Sequence, residues 1–541
     1  MGTGSKGRFF LYLASYFLRV IRSLLARLQV RPEEDTQVLL MLGMGFFIGI
    51  FIATYQVTAE SLFINELSDQ LDKAFLISGL LGILVTLLFS NFQNRVRFIA
   101  LSISSIVLIV AVTTFVYIVY HTGEGQAKGD VHNYILFGMF CLTGPMTAIL
   151  LLCYWGVFSR LFDFRQSKRI IGWIDTGQLL AIIIANFAIP ATSVFFPDTS
   201  NYLIVCNVSI LGALMCLISV ASRFNLSSSG LSTDSTVRQQ TKFKVIFKDR
   251  YIVLLSFFLT ASMITYVFNQ FSFQTLLNQQ YPQQRDLTNF LAFFNGTIYA
   301  LSLVMQTYVN DRLLSNYGLR ISLFLLPVVV GLLSLAALGT GLVFGYIPEA
   351  GSTTFIFFFL LVALTRLFNG MFRESLESPV FKLLFIPLDA RYRFNIQSKI
   401  EGVINESGRF IAGLVIFVFS LIPFFQIIWI PAIVIALVAI YFLVIQKLYA
   451  GYKGKIRLKL ESSDYQQDKL EIGFTKITQR LETFLSQDTS RAIFSIKLLE
   501  KINPANLSQW VNSLMRNPKE EVKEYAQRRL NEMKGLSVSD S

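Results

Sequence analysis

The chain has 541 residues, of which 53% are hydrophobic and 14% aromatic, while only 15% are charged. That balance excludes an ordinary soluble domain and a disordered chain, and it points to a protein that crosses a membrane many times. The formal charge of +13 is explained by basic loops on one side of that membrane, so it requires no nucleic-acid partner.

The chain opens with FFLYLASYFLRVIRSLLARL from Phe9, in which Phe10, Leu13, Phe17, Ile21, Leu24 and Leu28 recur at helical spacing and Arg19, Arg22 and Arg27 fall on other faces. The arginines, and the lack of a small-residue cleavage site after them, argue against a signal peptide. Residues 1–36 therefore read as a cytoplasmic amphipathic helix, lying either on the inner leaflet or on the protein's own cytoplasmic face.

Twelve apolar stretches follow, at 37–57, 74–90, 98–120, 134–158, 170–194, 202–221, 251–269, 287–309, 321–344, 353–371, 403–424 and 425–445. A bilayer core is spanned by roughly 20 apolar residues. The expected fold class is thus an all-α membrane protein with twelve transmembrane helices in two pseudo-symmetric six-helix halves, 37–222 and 251–446. A polar linker, 223–250, joins them and carries the Ser/Thr-rich run SSSGLSTDSTVRQQTK.

Lys and Arg set the orientation, because basic loops stay in the cytoplasm. The loops after even-numbered spans hold most of them, among them Arg95, Arg97, Arg160, Lys168, Arg169, Arg223, Lys242, Arg312, Arg320, Arg373, Lys382 and Lys399, against Lys73, Lys128 and Arg285 on the opposite side. Both termini are expected in the cytoplasm, and the membrane is expected to be a cytoplasmic (inner) one. Cys141, Cys153, Cys206 and Cys216 lie within spans and read as small buried residues. His121 and His132 fall in an outer loop, so no metal site and no cofactor motif is expected.

Beyond the last span, residues 447–541 change to alternating charged and apolar residues, with helices expected near 470–485, 491–502, 507–515 and 519–533. Paired short helices of this kind resemble HEAT or armadillo repeats, which bury their faces against neighbours. With at most two such pairs, this cytoplasmic tail is expected to dock on the cytoplasmic loops or on a partner protein.

One signature occurs twice: QSKRIIGWIDTG from Gln166 and QSKIEGVINESG from Gln397. Each copy leads from Gln-Ser-Lys through a Gly (Gly172, Gly402) and an Asp or Asn (Asp175, Asn405) to a second Gly (Gly177, Gly408). A duplicated six-helix unit is the architecture of a carrier that alternates access to a site between its halves.

Ionisable residues inside spans are costly and are candidates for function. Here they are Glu60 at the outer end of the first span, Asp175 in the fifth, Arg366 in the tenth, and Glu406 with Arg409 in the eleventh. Glu406 and Arg409 sit three apart and either neutralise each other or take part in function. Arg366 has no acid three or four residues away, which leaves two partners: an anionic substrate, or an acid on another helix such as Asp175 or Glu406. Gln56, with Tyr55, Tyr266, Asn269, Gln270 and Gln274, adds polar groups on the first and seventh helices, as a shared central cavity requires.

NDRLLSNYGLR from Asn310 resembles the inner loop of major facilitator halves, with Asp311, Arg312, Gly318 and Arg320 in the places that clamp neighbouring helix ends. More broadly, YWGVFSRLFDFRQSKRIIGWIDTG from Tyr154, the Glu-Ser-Leu-Phe run from Glu60, and RLFNGMFRESLESPVFKLLF from Arg366 resemble the nucleotide (ATP/ADP) transporter family, a branch of the same superfamily. The similarity covers roughly residues 37–443. Where exchangers of that family carry a basic residue before the acid of the first helix, this chain has Ala59.

The resemblance implies an alternating-access transporter of an organic anion, with a nucleotide or another phosphorylated metabolite as the foremost substrate class. Gln56, Glu60, Lys168, Arg169, Arg366 and Lys399 would bind it, and Asp175, Asp311, Arg312, Glu406 and Arg409 would couple or gate. Two alternatives stand beside this: a proton-coupled carrier of lipids or amphiphiles, and a transport-inactive membrane scaffold presenting its tail. No enzymatic nucleophile, metal cluster or phosphate-cradling loop is present. Partners reduce to the lipid bilayer, a small anionic substrate and a protein docked on the tail.

The topology is tested by cysteine labelling in intact cells: a cysteine replacing Gln283 should react with an impermeant reagent, and one replacing Ser229 should not. External labelling at Ser229 would overturn the orientation.

Overall fold

A computed structural model describes residues 34–93, 95–122, 130–162, 164–196, 198–224, 248–347, 355–388, 396–397, 399–485, 489–502, 507–515, 517 and 519–533. The expected N-terminal amphipathic helix and nearly all of the 223–250 linker lie outside the described residues. The chain divides into two units, Met1–Tyr452 and Lys453–Ser541.

No strand occurs among the described residues, and the elements of the first unit run in order as long helices. They are α1 Asp35–Leu67, α2 Leu71–Gln93, α3 Phe98–Thr122, α4 Asp130–Leu161, α5 Phe164–Thr192, α6 Tyr202–Arg223, α7 Arg250–Gln280, α8 Gln284–Val304, α9 Asn310–Phe344, α10 Phe355–Leu383, α11 Ile400–Ser420 and α12 Trp429–Phe484. Ten continuous helical stretches among the described residues are long and apolar enough to cross a membrane. Two of these, Asp35–Gln93 and Gln284–Phe344, run for 59 and 61 residues. At about 1.5 Å per residue each is roughly three times the ~30 Å hydrocarbon thickness, so each must fold back on itself. The first breaks at the short turn Ser68–Gln70 and the second at Gly318, whose φ of 75° puts it in the left-handed region. A side chain there would be strained.

Several helices continue past their expected ends. The hydropathy of the first span falls away after Val57, yet α1 runs on to Leu67. Its polar residues find partners inside the protein: Thr58 Oγ1 donates to the Thr54 carbonyl at 2.7 Å, and Gln56 Nε2 donates to Glu60 at 3.0 Å. Likewise α10 does not stop at Met371. It passes through a widened turn, Arg373–Glu377, into Ser378–Leu383, so Arg373 and Lys382 belong to a membrane helix and not to the basic loop assigned to them. Similar widened turns occur at Met305–Val309 and Ile400–Ile404. Such i→i+5 turns re-aim side chains and frequently mark functional positions.

Helices α1–α6 pack chiefly among themselves; in the second set α9 packs on α10, and α7 on α10 and α11, while α11 lies mainly against α2 and α8 mainly against α5 and α1, so these two helices carry the contact between the sets. Both seams depend on small residues. A Cβ on Gly413 of α11 would stand 2.7 Å from the backbone nitrogen of Leu76 in α2, and one on Gly296 of α8 would stand 3.1 Å from Asn186 of α5. Lipid supplies little drive for burying apolar surface between helices, so close backbone approach of this kind is what makes helix contacts favourable in a bilayer. The second Gly of each signature copy has the same duty in its own set: Gly177 of α5 lies against Leu42 of α1, and Gly408 of α11 against Met263 of α7.

In the second unit, α13 Thr489–Ile502, α14 Leu507–Leu514 and α15 Glu520–Met533 enclose a small core with Leu481 and Leu485. Ile496, Leu499, Trp510, Val511, Leu514, Val522 and Ala526 fill it. Trp510 Nε1 donates to Glu482 at 2.7 Å, Asn517 Nδ2 donates to the Leu485 carbonyl at 2.7 Å, and Arg529 pairs with Glu500 at 2.5 Å.

The α2–α11 seam makes a stability prediction. Gly413→Ala should lower the thermal midpoint in detergent by an amount corresponding to about 1–3 kcal/mol of overpacking. Gly138→Ala, at a position with nothing within 4 Å of the added carbon, should be neutral. Equal midpoints for the two variants would remove the seam from the account.

Candidate functional site

The widened turn in α10 divides its charged residues between two environments. Glu377 is buried and turns toward α7 and α12. Ser262 Oγ donates to its Oε1, and the Tyr441 hydroxyl donates to its Oε2 at 2.9 Å. Arg373 completes the network from the other side: Nη1 donates to Ser262 Oγ at 3.1 Å and Nη2 to Asn405 Oδ1 at 2.9 Å. Ser262 thus links an acid and a base that do not touch directly. The turn also frees the Ser375 carbonyl, which accepts from Asn310 Nδ2.

Glu374, on the other side of the turn, is exposed, as are Asp175 of α5 and Lys382 of α10. Yet all three sit on membrane-spanning helices, and they interact electrostatically across the two helix sets: Glu374 with Arg373, Asp175, Glu377 and Arg366, and Asp175 with Lys382 and the Gln306 side chain. Exposed charges from both helix sets therefore lie within electrostatic reach of one another.

Arg366 lies deeper and is 5% exposed. Its Nη2 donates to the Tyr266 hydroxyl at 3.0 Å, and its guanidinium carbon stands 4.5 Å from the centroid of that ring. Arg373 approaches the same ring, at 4.8 Å. Among the described residues Arg366 makes no ion pair, neither with Asp175 nor with Glu406. Glu60, 4% exposed, comes from α1 to the same place. It accepts from Gln56 Nε2 at 3.0 Å and from Gln270 Nε2 at 3.3 Å, and it feels the charge of Arg366. It lies inside its helix, not at the outer end. Tyr299 of α8 is within electrostatic reach of Glu374, Tyr266, Arg366 and Glu60 together.

At the end of the molecule formed by the Leu67–Leu71 and Tyr281–Gln284 connections, hydrogen bonds join the two sets. Ser61 meets Thr288 at 2.5 Å, Thr199 meets Thr288 at 2.8 Å, Asn65 Nδ2 donates to the Pro282 carbonyl at 3.1 Å, and Asn278 Nδ2 donates to Ser68 at 3.0 Å. An apolar layer lies beside them, with Val57, Ile64 and Ile189 against Phe273, Leu277, Leu291 and Phe294. That end is closed. The exposed Asp175, Glu374 and Lys382 mark the opposite approach.

The remaining expected site residues are distributed elsewhere. Arg169 is bound to Glu34, which also accepts from Gln166 Nε2 at 2.9 Å. Lys168 falls within α5, and its side chain lies outside the described residues. Lys399 is half-buried just before α11. Glu406 and Arg409 pair with each other at 3.5 Å along the α2–α11 seam. Asp311 and Arg312 are exposed ahead of the turn at Gly318. Of the expected binding set, then, the described contacts bring together Gln56, Glu60 and Arg366. Sequence reading missed Glu374 and Glu377, because RESLESP resembles a charged loop, and Tyr299, which lies in the apolar eighth span. The two acids of that run, three apart and next to an apolar stretch that continues to Phe385, were the available signal.

No family model matches the sequence. ADP,ATP carrier protein 1 of Chlamydia pneumoniae is 19% identical in an alignment 297 residues long that covers 49% of this chain and 56% of the carrier. The chain thus spans about half the length of that curated relative. Among solved structures, a mutant of the nucleoside transporter NupG superposes with a TM-score of 0.55 at 10% identity, covering 76% of this chain and 99% of NupG. A POT family transporter in complex with 5-aminolevulinic acid gives 0.53 at 12% identity over 75% of this chain and 96% of its own. A bacterial homologue of the iron transporter ferroportin, in its inward-facing state, gives 0.52 at 15% identity over 75% and 98%. The chain has the fold of multi-pass membrane transporters. Each of these proteins is a transporter or carrier by name, and none is an enzyme.

The Glu377 network gives a prediction independent of any substrate. Tyr441→Phe removes the donor to a buried carboxylate oxygen and should destabilise the protein by about 1–3 kcal/mol, read as a lowered thermal midpoint. An unchanged midpoint would mean that Glu377 does not depend on Tyr441.

Proposed function

We propose that the protein is an alternating-access transporter of the major facilitator type, moving a small organic solute that it recognises through an anionic group. Counting each double-length stretch as two crossings turns ten helical stretches into twelve spans, α1–α6 and α7–α12. The paired roles of Gly177 and Gly408 support a duplicated unit. By the distribution of Lys and Arg, the closed end faces outward and the charged approach faces the cytoplasm. The described arrangement then corresponds to an inward-facing state of an inner-membrane carrier with both termini in the cytoplasm.

The observation that carries the reading is Arg366: a buried guanidinium held by a neutral tyrosine and, among the described residues, without a carboxylate partner, on a helix that also presents the exposed charges of Glu374 and Lys382. Burying an unpaired charge is unfavourable unless something pairs with it at some point in the working cycle. Arginine's fixed donors suit a carboxylate or a phosphate. Asp175, with Lys382 and Gln306 across the cavity, would gate the cytoplasmic approach. Asp311, Arg312, Glu406 and Arg409 would couple helix ends and seams to that movement.

A nucleotide or another phosphorylated metabolite is the form of this reading favoured by the similarity to the ADP,ATP carrier. Lys168 and Lys399 would then have to reach the cavity during transport. The second unit would serve as a cytoplasmic docking element.

Arg366→Gln should weaken binding of the anionic substrate by about ten- to a hundredfold, the equivalent of losing one charge-assisted hydrogen-bond contact. The measurement is substrate-dependent thermal stabilisation of the purified full-length protein against a panel of nucleotides, sugar phosphates and carboxylates. Unchanged stabilisation in the variant would show that Arg366 does not hold the anion.

A further inference from the structure

Glu60 of α1 and Arg366 of α10 form a split pair. Both are buried, at 4% and 5% exposure, and each feels the other's charge, yet among the described residues neither makes an ion pair. An acid and a base so placed ordinarily close on one another, because a low-dielectric interior strengthens their attraction and penalises leaving either alone. Here neutral side chains hold each on its own side: two glutamine amides on the Glu60 carboxylate, one tyrosine hydroxyl and ring on the Arg366 guanidinium.

Unspent hydrogen-bonding capacity surrounds them. Asn369, one turn from Arg366 on α10, is 1% exposed and its Nδ2 has no partner; Gln274 of α7, also 1% exposed, leaves its Oε1 without one, and Asn269 leaves its Nδ2. Buried polar atoms without partners are few in folded proteins, and a cluster of them beside two separated charges is the arrangement left when a polar solute is absent. The formal charges of the two innermost groups cancel. A polyanion would therefore bring uncompensated charge into a desolvated site, whereas a solute with one charge of each sign would bring none.

We propose, resting on the reading of Arg366 as the anion contact, that the substrate is an amino-acid-like zwitterion whose carboxylate docks on Arg366 and whose ammonium docks on Glu60. The solute joins the two sets of helices by completing the pair that the protein keeps apart, since Glu60 belongs to the first set and Arg366 to the second. The exposed Glu374 adds negative charge along the approach, which suits an incoming amine. Each docking contact is a charge-assisted hydrogen bond, stronger than a neutral one.

The test uses the full-length protein and the series of ω-amino acids from glycine to 8-aminooctanoate, which varies the separation of the two charges. Each member is compared with the alkanoate and the alkylamine of the same length by thermal stabilisation. At least one member should bind about tenfold more tightly than both single-charge analogues. Glu60→Gln should erase its advantage over the alkanoate, and Arg366→Gln its advantage over the alkylamine. If no member of the series stabilises the unmodified protein, or if the advantage over the alkanoate survives Glu60→Gln, the zwitterion inference is wrong. Stabilisation by ADP or an alkanoate that is lost in Arg366→Gln, without any preference for the amine, would overturn this inference and leave the anion reading standing. A zwitterion that stabilises Arg366→Gln as well as the unmodified protein would overturn the anion reading itself.

Discussion

A charge inside a membrane-spanning bundle must be answered by other groups of the protein or by what it carries, because lipid offers nothing to hydrogen-bond it. That constraint organises the inner part of this molecule. Arg373 and Glu377 are answered internally, through Ser262, Tyr441 and Asn405, by a chain of hydrogen bonds that ties α7, α10, α11 and α12 into one body. Glu406 and Arg409 answer each other along the α2–α11 seam. Among the described residues Glu60 and Arg366 hydrogen-bond only to neutral groups. On the proposed reading, the difference separates residues that hold the helices together from residues left available to a solute.

The same division is visible in the backbone. Tight glycine contacts along α2–α11 and α5–α8 allow the two helix sets to lie close while sharing few polar bonds, a type of seam that can slide or rock without breaking a network. Polar bonds between the sets collect instead at the closed end, around Ser61, Thr199 and Thr288. Each hydroxyl contact there contributes modestly, about 0.5–1.5 kcal/mol for a typical net hydrogen bond. On the proposed alternating-access reading, a layer held by a few such bonds is strong enough to seal and weak enough to open. The widened turns at Met305–Val309, Arg373–Glu377 and Ile400–Ile404 lie in the second set, where they place Gln306, Glu374 and Glu401 on faces that regular helices would not give them.

The two copies of the signature have kept one duty and divided another. Gly177 and Gly408 both admit a neighbouring helix closely. The polar residue before them has diverged: Asn405 accepts from Arg373 within its own set, whereas Asp175 interacts with Lys382 and the Gln306 side chain of the other set. Two helix sets with unlike polar contents can bind an asymmetric solute, and the placement of Glu60 in one set and Arg366 in the other is a further instance.

The sequence by itself determined that this is a many-spanning helical membrane protein, where its long apolar helices lie, that helices continue in the more polar region after them, and that Glu60, Asp175 and Arg366 are the charges to follow. Those conclusions depend on local chemistry: apolar length against bilayer thickness, helical periodicity, and the rarity of charge in a span. Only the tertiary structure decided which charges meet. Whether Arg366 pairs with an acid depends on helices that are far apart in sequence, and whether RESLESP is loop or membrane helix depends on whether Ser262, Tyr441 and Asn405 are near enough to satisfy it. Arg169, a substrate contact by sequence, is paired with Glu34 in the structure. A hydropathy window registers the polarity of a residue but not the partner that makes burying it tolerable, and in a membrane protein that partner lies on another helix.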